Sequence, residues 1–421
     1  MTITEPLLSV FETVESEVRS YCRAWPTVFE QASGSRLRDE RGREYLDFFA
    51  GAGSLNYGHN HPVLKHALLD YIARDGITHA LDMSTTAKRE FLETFQSAIL
   101  APRGLPYKVM FPGPTGTNAV EAALKLARKA KGRESVVSFT NAFHGMSLGS
   151  LAVTGNAFKR AGAGIPLVHT TPMPFDNYLG GRTPDFIWFE RLLEDQGSGL
   201  NQPAAVIVET VQGEGGVNVA RPEWLQQLAD LCRRRDMLLI VDDVQMGCGR
   251  TGSFFSFEDA GITPDIVTVS KSISGYGLPM ALCLFKPELD IWEPGEHNGT
   301  FRGNNPAFVT ATAALDTYWR DGVLQRRTLV QGGRIDAALR ELCSDPALGA
   351  SHRGKGMVWG IEFQDGKRAA EVCTRAFEHG LLVETSGPEG EVVKLLPPLT
   401  VTPAELDEGL EILTRSVRET A

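Results

Sequence analysis

Five short runs of apolar and β-branched residues recur along the chain, with helical stretches and turns between them. The runs are "ESVVSFT" at 134, "AAVIVET" at 204, "MLLIVDDV" at 237, "DIVTVS" at 265 and "MALCLF" at 280. Strands that are apolar on both faces are typical of a parallel sheet that helices cover on each side. The sequence therefore predicts an α/β fold with a doubly wound, mainly parallel sheet.

The pattern changes after about residue 315. A helix "RRTLVQGGRIDAALRELC", a strand "GMVWGIEF" and a helix "KRAAEVCTRAFEHG" follow, and a last helix begins near "TPAELDEG". This order is typical of a smaller α+β domain. We expect a large cofactor-binding domain at 60–315, and a small domain formed by 1–59, which includes the N-terminal segment, together with 316–421.

Charge and composition disfavour several classes of function. The net charge of -10 argues against a nucleic-acid or anionic-membrane partner, because both select basic surfaces. No apolar run approaches the roughly 20 residues that a membrane-spanning helix needs. The six cysteines lie far apart in the sequence, which predicts no metal site and no disulfide framework. We expect a cytoplasmic protein.

A turn rich in proline and glycine opens a helix in "FPGPTGTNAVEAALK". Free amide groups and the positive end of the helix dipole make such a junction a site for a phosphate group. The alternative is an ordinary connection between a loop and a helix. It is not a Walker loop, because no Gly-Lys-Ser/Thr follows.

Two adjacent acids end the apolar strand in "MLLIVDDVQMG". Neighbouring side chains on a strand point to opposite faces, and a buried carboxylate is costly unless a cation meets it. Either Asp242 or Asp243 is therefore expected to face a positive group in a pocket, with helix capping as the alternative. Gln245 lies close enough in sequence to donate a hydrogen bond to an anionic oxygen nearby.

Two further strand ends carry side chains of interest. "TNAFHGMS" places Phe143 and His144 at one of them, where an aromatic ring stacks on a flat ligand or joins the core. "TVSKSISGYGLP" places Lys271 where an apolar segment meets serines and glycines, and the alternative there is a solvated surface lysine. Ligands of open α/β sheets bind at the carboxyl ends of the strands.

The string "GCGRTG" at 247–252 matches the glycine pattern of dinucleotide-binding enzymes. A strong helix does not follow it, and no acidic residue closes the next strand at the usual separation. An NAD-dependent oxidoreductase is therefore a disfavoured alternative from a different class.

Together the strand ends supply a phosphate site, an aromatic ring, an acid, a hydrogen-bond donor and a lysine. Pyridoxal phosphate uses all five: an anion site, ring stacking, a carboxylate beside the pyridine nitrogen, a donor to the ring oxygen and an amine for a Schiff base. This combination predicts pyridoxal 5'-phosphate as the cofactor.

The chain also resembles a known family, the class-III aminotransferases of fold type I, which use pyridoxal phosphate. The resemblance covers nearly the whole chain, and its motifs occur in the family's order: "DFFAGAGSLNYGHNHP", "GPTGTNAVEAALKLAR", "FHG", "VETVQGEGGVN", "VDDVQMGCGRTG", "PDIVTVSKSISGYGLP", "GTFRGNNP" and "PPL". The resemblance implies the fold of a type I pyridoxal-phosphate-dependent transferase.

The resemblance also implies roles for particular residues. Lys271 becomes the Schiff-base lysine, Asp242 pairs with the pyridinium and Gln245 approaches the ring oxygen. Phe143 stacks on the ring, with His144 beside it among the cofactor-binding residues.

Other implied roles concern the phosphate and the assembly. The resemblance implies that backbone amides of Gly116 and Thr117 hold the phosphate. It also implies that Thr300 reaches the phosphate of the other subunit's cofactor. A homodimer or larger homo-oligomer with shared active sites follows from that arrangement.

Within the family, four strings resemble the L-2,4-diaminobutyrate:2-oxoglutarate aminotransferases of ectoine biosynthesis: "AGAGSLNYGHN", "FPGPTGTNAVE", "SISGYGLP" and "EHNGTFRG". That branch implies transfer of the amino group of L-glutamate to the aldehyde of L-aspartate 4-semialdehyde, which gives L-2,4-diaminobutyrate and 2-oxoglutarate. The alternatives in the same fold are an aminotransferase for ornithine or 4-aminobutyrate, and an aminomutase or racemase.

The residues that bind substrate depart from the family's usual pattern. Met146 stands where "FHGR" enzymes have an arginine, and Lys394 stands where an arginine commonly precedes "PPL". A lysine binds a carboxylate as a point charge and not as a bidentate fork. Arg302 in "GTFRG" replaces the usual glycine, which predicts a displaced carboxylate site, and Glu214 in "QGEGG" is implied to pair with Lys394 when no substrate carboxylate is bound.

Overall fold

The structure is a computed structural model that describes residues 8–180 and 186–421. Its longer helices begin near prolines or Ser, Thr, Asn and Asp caps, as the sequence predicts. The helices are α1 Ser9–Thr13, α2 Ala50–Gly53, α3 Pro62–Ala73, α4 Thr86–Phe95, α5 Gly116–Lys131, α6 Leu148–Ala152, α7 Ala157–Ala161, α8 Ile187–Glu194, α9 Pro222–Arg234, α10 Asn305–Tyr318, α11 Val323–Cys343, α12 Gly366–Glu378 and α13 Pro403–Glu419. No helix in the described ranges is both long and apolar enough to span a bilayer.

All five of the predicted apolar runs form strands, which are the fifth, seventh, tenth, eleventh and twelfth in chain order. The strands are β1 Phe29–Ser33, β2 Arg36–Asp39, β3 Glu44–Asp47, β4 Lys108–Met110, β5 Val136–Phe139, β6 Thr170–Met173, β7 Ala205–Val208, β8 Val211–Gln212, β9 Asn218–Val219, β10 Leu238–Asp242, β11 Ile266–Val269, β12 Leu282–Phe285, β13 Ser351–Lys355, β14 Val358–Glu362, β15 Leu381–Leu382, β16 Glu384–Ser386 and β17 Val392–Leu395.

A seven-stranded sheet forms the centre of the molecule, in the order β4-β12-β11-β10-β7-β5-β6. Only β12 runs antiparallel to its neighbours in this sheet, β11 and β4. The predicted doubly wound, mainly parallel α/β fold is therefore confirmed.

Alternating side chains of the sheet pack into two separate parts of the core, one on each face. Ile240 and Ile266 pack with residues of α5 on one face, whereas Val241 and Val267 belong to the larger cluster on the other. All four are buried, as both faces of a covered parallel sheet must be. This burial fixes the register of each strand and so fixes which side chain comes first after its carboxyl end.

Residues from the two ends of the chain share one of the smaller sheets. One sheet has the order β1-β2-β3-β15, so that the N-terminal strands pair with a strand near residue 381. Another has the order β13-β14-β17-β16. The domain division at 60–315 stays a prediction, although this pairing of 29–47 with 381–382 is compatible with it.

The "GCGRTG" segment does not open a helix. It forms turns after β10, and its Arg250 is fully buried. The guanidinium of Arg250 donates hydrogen bonds to Met357 O at 3.0 Å, Pro397 O at 2.5 Å and Asn56 Oδ1 at 2.6 Å. Arg250 therefore joins three distant segments, which explains the motif without a dinucleotide.

Replacing this arginine is expected to destabilise the fold. Arg250→Met leaves three buried acceptors without their charged donor, which costs on the order of 3 kcal/mol. We expect a clear decrease in the urea midpoint of unfolding, measured by fluorescence with cofactor present. The matched control is Arg233→Met, because the Arg233 side chain is 76% exposed. Equal midpoints for the two variants would contradict this account.

Candidate active site

A cavity of about 390 Å³ lies at the carboxyl ends of β5, β7, β10 and β11. Side chains that follow each of these strands line it. The lining residues relevant to the predicted site are Gly116, Thr117, Phe143, His144, Glu209, Glu214, Asp242, Gln245 and Lys271. Their convergence follows from the parallel sheet, because it brings the ends of its strands to one edge.

Lys271 lies two residues after the end of β11 and adopts an unusual backbone conformation. Its φ of 52° lies in the left-handed region, which costs a residue with a Cβ on the order of 1–3 kcal/mol when the surroundings enforce it. Burial lowers the pKa of Lys271, the charge of Lys394 acts in the same direction, and Glu214 opposes it. An amine with a lowered pKa is a better nucleophile and base near neutral pH.

Asp242 is the last residue of β10, and its carboxylate is held from several directions. Oδ2 lies 2.7 Å from His144 Nδ1, and Oδ1 accepts hydrogen bonds from Thr268 Oγ1 at 3.0 Å and Val244 N at 3.2 Å. Burial opposes the charged form of His144, but the hydrogen bond and charge of Asp242 outweigh it and raise the pKa of the imidazole. His144 thus orients Asp242 from behind.

Asp243 points to the opposite face of the strand. It is fully buried, it is absent from the cavity lining, and its Oδ2 accepts a hydrogen bond from Ser256 N at 3.1 Å. Burial raises the pKa of Asp243 to about 7. Of the two adjacent acids, Asp242 is therefore the one that faces the cavity.

The N-terminus of α5 forms one end of the cavity. Gly116 is its first residue, and a Cβ there would lie 2.8 Å from Val244 Cγ1, so the close approach of α5 to the loop after β10 requires glycine. Thr117 Oγ1 hydrogen-bonds Ser147 Oγ at 2.6 Å and Ser150 Oγ at 2.9 Å. The free amides of this first turn form a site for a phosphate.

Phe143 lines the cavity beside a residue that the sequence interpretation did not include, Glu209. The Phe143 amide donates to Glu209 Oε2 at 3.0 Å, and Lys159 Nζ lies 4.1 Å from the centre of the Phe143 ring. Burial raises the pKa of Glu209 to about 8. Glu209 is the first residue after β7, in the string "AAVIVET". The reasoning that selected Asp242, an acid at the carboxyl end of an apolar strand, would also have selected Glu209.

A buried ionic cluster adjoins the cavity. Glu214 Oε1 accepts hydrogen bonds from Lys394 Nζ at 2.6 Å and from Gln245 Nε2 at 3.0 Å. Lys394 also lies 3.0 Å from Glu384 Oε1. Burial alone would raise the pKa of Glu214, but the charges of Lys394 and Lys271 lower it to about 2. Glu214 and Lys394 therefore form a buried ion pair beside the cavity.

Four of the predicted residues are not part of the cavity lining in the described structure: Lys394, which reaches it only through Glu214, and Met146, Thr300 and Arg302. The Met146 side chain is 54% exposed, in the segment between Gly145 and the start of α6. Thr300 is exposed, and Arg302 Nη1 lies 3.3 Å from Asn298 Oδ1. Arg302 lines a smaller pocket that shares Pro114, Pro279 and Met280 with the main cavity. The roles of all the predicted site residues, these four among them, stay predictions.

The donor set fits pyridoxal phosphate. The first turn of α5 suits the phosphate, the Phe143 ring suits a flat heterocycle, and Asp242 suits a protonated ring nitrogen. Lys271 lines the same cavity, and none of the hydrogen bonds found in the described residues involves its amine. The five requirements predicted from sequence therefore meet in one cavity.

Comparison with known proteins identifies the family. The family model described as aminotransferase class-III matches residues 20–417. The chain is 77% identical to the diaminobutyrate--2-oxoglutarate transaminase of Streptomyces avermitilis, and the match covers 100% of both chains.

Solved structures agree with that family. The chain superimposes on an ornithine aminotransferase of Toxoplasma gondii with a TM-score of 0.85 and 26% identity, covering 100% of this chain and 96% of that one. It superimposes on a PLP-bound amine transaminase from an uncultivated Pseudomonas species with a TM-score of 0.85 and 25% identity, covering 97% and 98%. The chain therefore belongs to the class-III aminotransferase family.

Proposed function

We propose that this enzyme transfers the amino group of L-glutamate to the terminal aldehyde of L-aspartate 4-semialdehyde, and so forms L-2,4-diaminobutyrate and 2-oxoglutarate. The observation that carries the proposal is the 77% identity over the full chain to an enzyme named for diaminobutyrate and 2-oxoglutarate. The cavity supports it, because its side chains are those that aminotransferase chemistry needs.

Pyridoxal phosphate is the cofactor of this family, and when bound it supplies an aldehyde that carries the amino group and a ring that accepts electrons. The backbone amides of Gly116 and Thr117 would hold its phosphate, and the Phe143 ring would stack on its ring. Asp242 would keep a proton on the ring nitrogen, with His144 orienting the carboxylate.

Lys271 would perform the proton transfers. Its amine, whose pKa burial lowers, would remove the proton from the substrate carbon that bears the nitrogen. In the half-reaction with the acceptor, it would give a proton to the former carbonyl carbon. Glu214 and Lys394 would bind the far end of the substrate. When a substrate carboxylate arrives, it replaces Glu214 beside Lys394, so that the cluster accommodates substrates of different charge.

We also propose a homodimer with shared active sites. An apolar surface supports it, formed by Ile77, Leu81, Met83 and Phe301, which are exposed in the single chain. The segment that carries three of them contacts the "GTFRG" loop, where His79 Nε2 lies 2.8 Å from Thr300 O. Thr300 and Arg302 lie beside this surface, so that a second subunit would bring them towards its active site.

Localisation and pathway are part of the proposal. A reducing cytoplasm is supported by the six cysteines, all of which are free thiols. A role in ectoine biosynthesis, and thus in the response to osmotic stress, rests on the resemblance of four sequence strings to that branch.

The proposal predicts a definite substrate preference. With 2-oxoglutarate as acceptor, the pure enzyme should use L-2,4-diaminobutyrate in preference to ornithine and 4-aminobutyrate, and should form one glutamate for each amine consumed. Steady-state rates for each amine, with glutamate measured enzymatically, test this. A preference for ornithine or 4-aminobutyrate would contradict the substrate assignment, and turnover without consumption of 2-oxoglutarate would indicate an aminomutase or racemase.

A further inference from the structure

Lys394 lies between two carboxylates, and only one of them accepts well-aligned hydrogen bonds. Lys394 is fully buried, with Nζ 2.6 Å from Glu214 Oε1 and 3.0 Å from Glu384 Oε1. Glu384 is directly opposite Lys394 in the antiparallel pair of β16 and β17, so both side chains project from the same face of the sheet. The sequence interpretation did not include Glu384, because nothing local in the sequence shows this register.

The two carboxylates differ in their hydrogen bonds. Glu214 accepts from both Lys394 and Gln245, whereas Glu384 Oε1 is buried and accepts no well-aligned hydrogen bond from the described residues. Burial raises the pKa of Glu384 to about 7, although the charge of Lys394 opposes this. One ammonium thus serves two carboxylates, and a second cation or donor would stabilise the cluster.

The proposed substrate brings such a cation, and the inference rests on that proposed function. When the terminal carbon of L-2,4-diaminobutyrate is at Lys271, its other end carries both a carboxylate and an α-ammonium group. The carboxylate matches Lys394, and the ammonium needs an anionic acceptor beside it. 4-Aminobutyrate has the same chain and the same terminal amine but lacks the α-ammonium.

We propose that Glu384 is a specificity-determining residue that accepts the α-ammonium of L-2,4-diaminobutyrate and of L-aspartate 4-semialdehyde, next to the carboxylate held by Lys394. Glutamate reacts through its own α-amine, and its far end is a carboxylate only. In the half-reaction with diaminobutyrate, Glu384 therefore pairs with the α-ammonium. In the half-reaction with glutamate, Glu384 takes up a proton. This difference lets one cluster serve a dicarboxylate and a diamine.

The test compares two amines in single-turnover half-reactions followed by the spectrum of the bound cofactor. In Glu384→Gln, which keeps the shape and removes the charge, the maximal half-reaction rate divided by the half-saturating concentration of diaminobutyrate should fall at least about tenfold, mainly because the half-saturating concentration rises. The corresponding ratio for 4-aminobutyrate should stay the same or rise. The matched control is Glu389→Gln, an exposed residue in the turn between β16 and β17. An unchanged ratio between the two amines overturns the inference.

A binding measurement separates recognition from chemistry. L-2-Aminobutyrate and butyrate lack the terminal amine and differ only by the α-ammonium, so calorimetry with the holoenzyme in its aminated-cofactor form, which cannot condense with an amine, measures its contribution. Wild type should prefer L-2-aminobutyrate, Glu384→Asp should keep most of that preference and Glu384→Gln should lose it. If Glu384→Gln retains the preference, the inference is overturned. If wild type fails to prefer diaminobutyrate to 4-aminobutyrate, the proposed function is overturned as well.

The same carboxylate predicts a pH effect. The charged groups that face Glu384 are Lys394, Glu214 and Lys271, while Tyr21 and Cys373 stay neutral because burial raises the pKa of each. An ionised Glu384 is needed to bind the ammonium, and its pKa is about 7. The preference for diaminobutyrate over 4-aminobutyrate should therefore increase as the pH rises through about 7, and this increase should be absent in Glu384→Gln. An equal increase in both proteins would count against Glu384.

Discussion

Lys271→Ala is expected to lower transamination by about 10⁴-fold while the protein stays folded. The variant removes both the amine that binds the cofactor covalently and the base that moves the proton, and a positioned base alone contributes about 10²–10⁴-fold. The fold should persist because the Lys271 amine makes none of the hydrogen bonds found in the described residues, and alanine accepts the same backbone conformation at a similar cost.

Two measurements check this expectation. Steady-state rates give the loss of activity, and borohydride reduction followed by mass analysis shows whether the cofactor is covalently attached. Wild type should retain the cofactor after reduction, and Lys271→Ala should not. Lys65→Ala is the control, since Lys65 lies exposed on α3. A Lys271→Ala enzyme within tenfold of the wild-type rate would contradict the assignment.

Asp242→Asn should lower the rate of the half-reaction by about 10²–10³-fold, while Asp243→Asn should change it by no more than a few-fold. The neutral amide at position 242 no longer keeps a proton on the ring nitrogen, so the ring accepts electrons poorly. Asp243 faces away from the cavity, and burial raises its pKa to about 7, so its carboxylate has no part in holding the ring nitrogen.

Rapid mixing with diaminobutyrate, together with the cofactor content of each variant, tests this ranking. Both variants should bind the cofactor, because the N-terminus of α5 and Lys271 are unchanged. If Asp243→Asn were the slower enzyme, the face of β10 that serves the cofactor would be the other one.

The strands of the central sheet and the convergence at their ends were predictable from sequence for one physical reason. Strands covered on both faces are continuously apolar, and Val136–Phe139, Ala205–Val208 and Ile266–Val269 are fully buried. Parallel strands also bring their ends to the same edge. The positions of Phe143 and Lys271 at one cavity follow from these two facts.

What the sequence left open depends on register and on long-range geometry. Side chains alternate along a strand, so Asp242 and Asp243 must point to opposite faces of the sheet. The sequence does not show which of these faces borders the cavity. Glu384 became visible only when the register of β16 and β17 placed it opposite Lys394. Arg250 lies in a string with the glycine pattern of a nucleotide-binding loop. Its role instead comes from hydrogen bonds to residues 56, 357 and 397, which are far away in the sequence.

The substrate residues Met146 and Arg302 show the limit of reasoning from single positions. Both were selected because they differ from the family's usual residues, yet neither lines the main cavity within the described chain. Arg302 lies next to a surface that we propose is covered by a second subunit, and on that proposal its site forms only in the dimer. Lys394 was selected in the same way, and it contacts the cavity residue Glu214.

The most direct test of the central claim follows the nitrogen atom. L-2,4-Diaminobutyrate labelled with ¹⁵N only at its terminal amine is incubated with the holoenzyme and 2-oxoglutarate, and the products are analysed by mass spectrometry. The account predicts ¹⁵N-labelled glutamate and unlabelled aspartate 4-semialdehyde in equal amounts. Unlabelled glutamate would show that the α-amine reacts, and the absence of glutamate would show that 2-oxoglutarate is not the acceptor; either result contradicts the account.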